Sequence, residues 1–234
     1  LTIRIKADSN IEDLEVIEKR IVKEKIQLFE NRIEDELKKC LKYIELDKRG
    51  KDVLAGKILH LDGDKKYSEK SLRCYRSLGL EAIVKNIKEN EQVRFVKSLL
   101  ERYRPDILVI TGHDGMLRGE TKYNDIYNYR NSRYFINSVM EARRWDNKGR
   151  DLVIFAGACQ SYYEAIIGAG ANFASSPGRI LIDFMDPLIV AEKIATTDES
   201  KYVTISDIER NLRDGIKGVN GIGAMGKKKI VTKM

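Results

Sequence analysis

Proline and cysteine are scarce in this chain, histidine is scarcer still, and long apolar runs are missing. Its 234 residues hold three Pro, three Cys and two His. The longest apolar stretches, such as Ile107–Ile110 and Leu152–Ala156, are strand-length. A membrane-spanning helix needs roughly 20 apolar residues, so no membrane partner is expected. An odd, low cysteine count argues against a disulfide framework and for a reducing compartment. Cys40, Cys74 and Cys159 show no metal-ligand spacing. With only His60 and His113 to join them, no metal site is expected. The first strand is followed by neither a Walker loop nor a Gly-x-Gly-x-x-Gly turn, so a nucleotide cofactor is not expected. The chain opens Leu-Thr-Ile-Arg, with no initiator Met, no apolar signal core and no small-residue cleavage site. It therefore reads as lacking a secretory signal and as trimmed of an upstream segment by truncation or processing.

What is present is charge of both signs. The net charge is +7, but the bases are interleaved with acids, as in Glu34-Asp35-Glu36-Leu37-Lys38-Lys39. A solvated mixed-charge surface explains this better than a nucleic-acid patch, and no nucleic-acid partner is expected. Lys227-Lys228-Lys229 is the exception and reads as a mobile tail.

Residues 11 to about 46 read as one long amphipathic helix. Ile11, Leu14, Ile17, Ile21, Ile26, Phe29, Ile33, Leu37, Leu41 and Ile44 recur mostly three or four apart. The pattern changes at Lys51, which divides the chain into an N-terminal helical segment, 1–50, and a second domain, 51–234. Strands are expected at 53–61, 80–86, 106–111, 151–156, 171–175 and 202–205. Helices are expected at 68–78, 90–103, 133–145, 161–167 and 187–195. Alternation at these lengths predicts a three-layer α/β/α sandwich with a mostly parallel sheet. The glycine run from Gly221 to Gly226 reads as a flexible loop.

Ligands of such sheets bind beyond the carboxyl ends of the strands. Three strand ends are chemically unusual: Asp62-Gly63-Asp64, Gly112-His113-Asp114-Gly115 and Gly157-Ala158-Cys159-Gln160-Ser161. The second and third follow buried strands of nearly identical wording, Asp-Ile-Leu-Val-Ile-Thr-Gly and Asp-Leu-Val-Ile-Phe-Ala-Gly. They lie 159 − 113 = 46 residues apart, room for a loop, a crossover helix and a return strand. If those strands are neighbours, an imidazole and a thiol meet at one sheet edge. Cys159 at a helix start would gain thiolate character, and His113 would take and return its proton. The amides of Cys159, Asp114 and Gly115 could hold an oxyanion. Cys40, Cys74 and His60 read as packing residues, and Asp186 as a helix N-cap.

These segments resemble the two signature blocks of the caspase, legumain, gingipain and clostripain group of cysteine peptidases: a buried strand then His-x-Gly, and a buried strand then Ala-Cys. The wording of Gly56–Asp64, Pro105–Gly115, Phe155–Ser161 and Ser175-Ser176-Pro177-Gly178 is closer still to the YabG-type family of sporulation proteases. The likeness runs from about residue 50 to 225. It implies a caspase-like (hemoglobinase-like) fold and a Cys159–His113 dyad. It implies cleavage of spore coat and germination proteins after Arg, and self-processing. It also implies synthesis in the mother-cell cytoplasm and association with the spore coat. The chain departs from caspases in placing Asp114 between His113 and Gly115, which leaves open which amide meets the oxyanion.

Relatives of the group draw their P1-binding residues from three places: the first strand end, the position before Ala-Cys, and the strand after the catalytic helix. Gly157 offers no side chain there, which leaves Asp62, Asp64 and Asp183. In caspases an Arg that receives a substrate Asp stands six residues after a Pro; Asp183 stands six after Pro177. An acid at that place suits a basic P1 side chain. Two rivals stand beside this reading. A small-molecule acyl transferase or amidotransferase could use the same pair, although its elbow usually ends in Gly where Ser161 stands. A non-catalytic α/β scaffold would show no reactive thiol.

Overall fold

The computed structural model describes residues 52–117, 122–146 and 151–231. The chain divides into two units, residues 1–49 and 50–234. The expected N-terminal helix falls in the first and lies outside the described residues.

The second unit is built on a six-stranded sheet. Its elements are β1 (Asp52–Leu54), β2 (Ile58–Asp62), α1 (Lys65–Ser77), β3 (Ala82–Asn86), α2 (Glu89–Tyr103) and β4 (Ile107–Thr111). There follow α3 (Ser132–Asp146), β5 (Val153–Ala156), α4 (Tyr163–Gly168), β6 (Phe173–Ser175) and α5 (Met185–Thr196). The last are β7 (Tyr202–Val203), β8 (Val219–Gly221), β9 (Ala224–Met225) and β10 (Lys229–Val231). The sheet order is β3-β2-β4-β5-β6-β8. All neighbours are parallel except β6 and β8.

The alternation of side chains across each strand explains the three layers. Leu59, Leu61, Leu108, Ile110, Ile154 and Ala156 pack with Val96 and Leu100 of α2 and Phe135, Val139, Ala142 and Trp145 of α3. The opposite face carries α1 and α5. There Tyr75 meets the ring of His60, and the Cys74 thiol lies 3.9 Å from the Met185 sulfur. Complete burial of an aliphatic or aromatic side chain contributes about 1.5–3 kcal/mol. The doubly covered strands β2, β4 and β5 therefore dominate the core.

Local signals fix the element ends. Asp64 caps α1 by accepting from the Tyr67 amide. α2 ends where Arg104 adopts a left-handed φ of 44°, immediately before Pro105, which disfavours further helix.

The structure corrects several expectations. The segment 53–61 is two strands, β1 and β2, because β1 leaves the main sheet to pair with β10. The glycine run is not a loop: β8 closes the main sheet antiparallel to β6, and β9 pairs with β7. A Cβ at Gly221 would lie 2.2 Å from the Asn172 carbonyl oxygen, so this glycine serves a close strand approach. The three-lysine segment is not a tail. Lys227 is buried and donates to the Asp151 carboxylate and carbonyl, and Lys229 lies in β10.

Candidate active site

The registers of β2, β4 and β5 set the site. Asp62 pairs with Thr111, and Ile110 pairs with Ala156. The Gly157 amide then donates to the Ile110 carbonyl at 3.0 Å. His113 stands two residues beyond Thr111, and Cys159 two beyond Gly157. Adjacent parallel strands thus deliver the imidazole and the thiol to the same carboxyl edge. Asp64 leaves that edge on the other side of β4.

Each group is held by different partners. His113 Nε2 lies 3.0 Å from Asp64 Oδ2, with the His113 side chain 58% exposed. The His113 amide donates to Glu89 Oε1 at 2.7 Å, and its carbonyl accepts from Asn131 Nδ2 at 2.8 Å. The hydrogen bond from His113 is the main reason that the Asp64 carboxyl titrates below its ordinary range. Cys159 is half-buried, with Sγ 4.0 Å from the Ile182 carbonyl oxygen. The next residue, Gln160, has φ 55° and donates its amide to Ile180 O and Ser176 Oγ. The loop after β6 therefore lies directly against the thiol. Among the described residues, the thiol and imidazole do not hydrogen-bond each other.

Cys159 is not at a helix start, contrary to expectation: α4 begins four residues later, at Tyr163. The tight turn at Gln160 intervenes. The Gly115 amide is also occupied, since it donates to Asp114 Oδ1 at 2.8 Å. The amides of Asp114 and Cys159 have no acceptor among the described residues.

The three candidate P1 acids separate. Asp62 is buried, accepting from Thr111 Oγ1 at 2.7 Å and from the Asp64 amide at 2.7 Å. Burial pushes its carboxyl upward, and it belongs to the framework rather than to an open pocket. Asp64 is committed to His113 and the α1 cap. Asp183 is half-buried, and its Oδ1 accepts from the Met185 amide at 3.1 Å. Asp186 is not the cap of α5. It lies in the first turn, accepting from the Asp183 amide at 3.0 Å and the Arg213 amide at 3.1 Å.

Tyr67 was not singled out by sequence. Its ring packs on His113 with centroids 6.2 Å apart and on Phe184 at 5.8 Å. Desolvation raises its phenol, and the charges of Asp64, Cys159, Asp183 and Asp62 raise it further. Tyr67 thus stands among every acid and nucleophile proposed for the site. Glu89 was missed as well. The only signal for either was position, one in the first turn of α1 and the other opening α2 at the same sheet edge.

No solved structure matches this chain. The sporulation-specific protease YabG of Bacillus subtilis (strain 168) is 41% identical over 177 residues, covering 76% of this chain and 61% of that protein. The family model described as YabG peptidase U57 matches residues 1–232. That match spans both units and every strand end described above, so the chain belongs to the YabG peptidase family.

Proposed function

We propose that this chain carries the catalytic part of a cysteine endopeptidase that cleaves proteins after Arg. The observation that carries the reading is the delivery of Asp64, His113 and Cys159 to one sheet edge from β2, β4 and β5. With Nε2 of His113 directed at Asp64, Nδ1 is the nitrogen that exchanges protons. It removes the thiol proton as Sγ of Cys159 forms a bond to the scissile carbonyl carbon. The oxyanion sits at the Asp114 and Cys159 amides. The C–N bond then breaks, and His113 gives its proton to the leaving amine. Water attacks the thioester, losing a proton to His113. The acid product leaves and the thiol is restored. Asp64 steadies the imidazolium that forms twice in the cycle.

Asp183 is the acid for the P1 guanidinium: it is only half-buried, whereas Asp62 is buried within the framework. Asp183 shares the Tyr67 surroundings with Cys159. Kinship with a sporulation-specific protease supports action on proteins of a sporulating cell; the substrates proposed are spore coat and germination proteins and the chain itself. A small-molecule acyl transferase is less suited to a half-open site in which the His113 side chain is 58% exposed.

The test is a fluorogenic peptide series differing only at P1. Wild type should cleave the Arg peptide best, and Cys159→Ala should lose activity with an unchanged melting temperature. Residual cleavage by Cys159→Ala overturns the nucleophile. Preference for Asp, Asn or Lys overturns the role of Asp183.

A further inference from the structure

The side chain of Asp114 holds both halves of the site at once. Its Oδ1 accepts from the Gly115 amide and the Asn131 amide, each at 2.8 Å. Its Oδ2 accepts from Ser132 Oγ and, at 2.9 Å, from Ser161 Oγ. Both serines are fully buried. Each hydroxyl passes the connection on. Ser161 Oγ accepts from the Ala158 amide at 2.9 Å, and Ser132 Oγ accepts from the Tyr162 amide at 2.8 Å. One carboxylate therefore spans the turn bearing His113, the start of α3 and the turn bearing Cys159.

We infer that Asp114 is a positioning residue that yokes the Asp114 amide to the Cys159 amide as one oxyanion site. This inference rests on the peptidase reading above. The chemistry of the donors dictates a carboxylate. Both serine hydroxyls accept an amide hydrogen, so each must spend its own hydrogen on Asp114. The two backbone amides can only donate. Four donors thus converge on one group, and an ionised carboxylate is the side chain that accepts at both oxygens. An Asn at this place would turn an N–H toward two donors in either flip, leaving them unsatisfied. The insertion that separates this chain from the His-Gly wording of caspases thereby gains a role. The Gly115 amide, freed from catalysis, anchors the yoke, and the Asp114 amide faces the substrate.

The experiment compares wild type, Asp114→Asn, Ser161→Ala and the double variant. Readouts are kcat and KM on the best P1 peptide, inhibition by the matching peptide aldehyde, and iodoacetamide alkylation of Cys159 across pH. The aldehyde adduct uses the oxyanion site, whereas alkylation does not. Asp114→Asn should lower kcat about 10²-fold, the scale of a lost oxyanion donor. KM should stay within about threefold, and aldehyde affinity should fall in parallel with kcat/KM. The alkylation pH profile should match wild type. Ser161→Ala retains the carboxylate and serves if Asp114→Asn does not fold; it should lower kcat about tenfold with the same split. The double variant should resemble Asp114→Asn, because both break one connection. Wild-type kcat and aldehyde affinity in Ser161→Ala, or in a folded Asp114→Asn, overturn this inference alone. A wild type without Cys159-dependent cleavage overturns both this inference and the reading beneath it.

Discussion

Asp64 joins two tasks in one carboxyl group. Oδ1 accepts from the Tyr67 amide at 3.1 Å and caps α1, while Oδ2 faces His113 Nε2 at 3.0 Å. These tasks respond differently to substitution. Asn caps a helix as well as Asp does, but it brings no charge to the imidazolium. Asp64→Asn should keep the melting temperature and lower kcat at least tenfold at constant KM. Asp64→Ala should add about 1 kcal/mol of lost stability from the missing cap. Steady-state kinetics beside thermal melts separate the two, and equal kcat in Asp64→Asn and wild type removes Asp64 from the mechanism. The residue scale also marks where sequence reading stops. That His113 and Cys159 reach one sheet edge was legible, because they follow buried strands of matching wording and those strands are neighbours. Asp64 stood out in the sequence at its strand end, but its contact with His113 did not. Which way a carboxylate turns at a strand end depends on the neighbouring strand, and local sequence does not encode that.

Among the elements, α2 opens with a carboxylate that two strand ends leave room for. A Cβ at Gly63 would lie 2.1 Å from Glu89 Oε1, and one at Gly112 would lie 2.4 Å from it. Glu89 fills that space, sits favourably at its helix N-terminus and accepts from the His113 amide. Gly63→Ala would meet only the end of a flexible side chain, so the fold should yield at small cost and the carboxylate should move away. The expected result is a melting temperature within about 3 °C of wild type and a several-fold drop in kcat. Glu89→Ala should show the same drop, and the double variant no further one. Additive losses would mean that Gly63 acts through something other than Glu89. The same logic explains the misread glycine run. In isolation Gly221 signals flexibility, yet its partner strand β6 makes it a contact point. Among the described residues, periodicity revealed the helices and parallel strands, whose hydrophobic pattern is local. The closing antiparallel strand β8 depends on a partner about 45 residues away, and so it was hidden.

Across the whole molecule, buried acids give stability an unusual slope with pH. Asp62, Asp186 and Glu192 all titrate above their ordinary range, chiefly because burial penalises the charged form. Asp186 is pushed up to about 6, against an ordinary carboxyl near 3.8. Between these values the folded chain binds more protons than the unfolded one. Stability from this group therefore falls as pH rises from about 4 to about 6 and levels off above. The shift of about two units corresponds to about 3 kcal/mol. Amides of Asp183 and Arg213 offset part of the burial penalty, the Arg213 charge helps and the Asp183 charge opposes. The net charge of +7 grows at low pH and adds repulsion, but that background is common to wild type and variant. The difference between them isolates Asp186. Urea unfolding of wild type and Asp186→Asn at pH 4, 5, 6 and 7.5 should show the variant losing stability at pH 4, where it lacks one acceptor. It should regain about 3 kcal/mol relative to wild type by pH 7.5, where wild type must hold a buried charge. Most of the recovery should fall between pH 4 and 6. A difference that stays flat with pH would mean that Asp186 is charged throughout, fully compensated by the two amides it binds. Asp186 fastens the segment carrying Asp183 to the turn at Arg213. On the role proposed for Asp183, the same titration should appear in the KM of the Arg peptide, and a KM whose pH dependence is the same in wild type and Asp186→Asn would separate Asp186 from P1 binding.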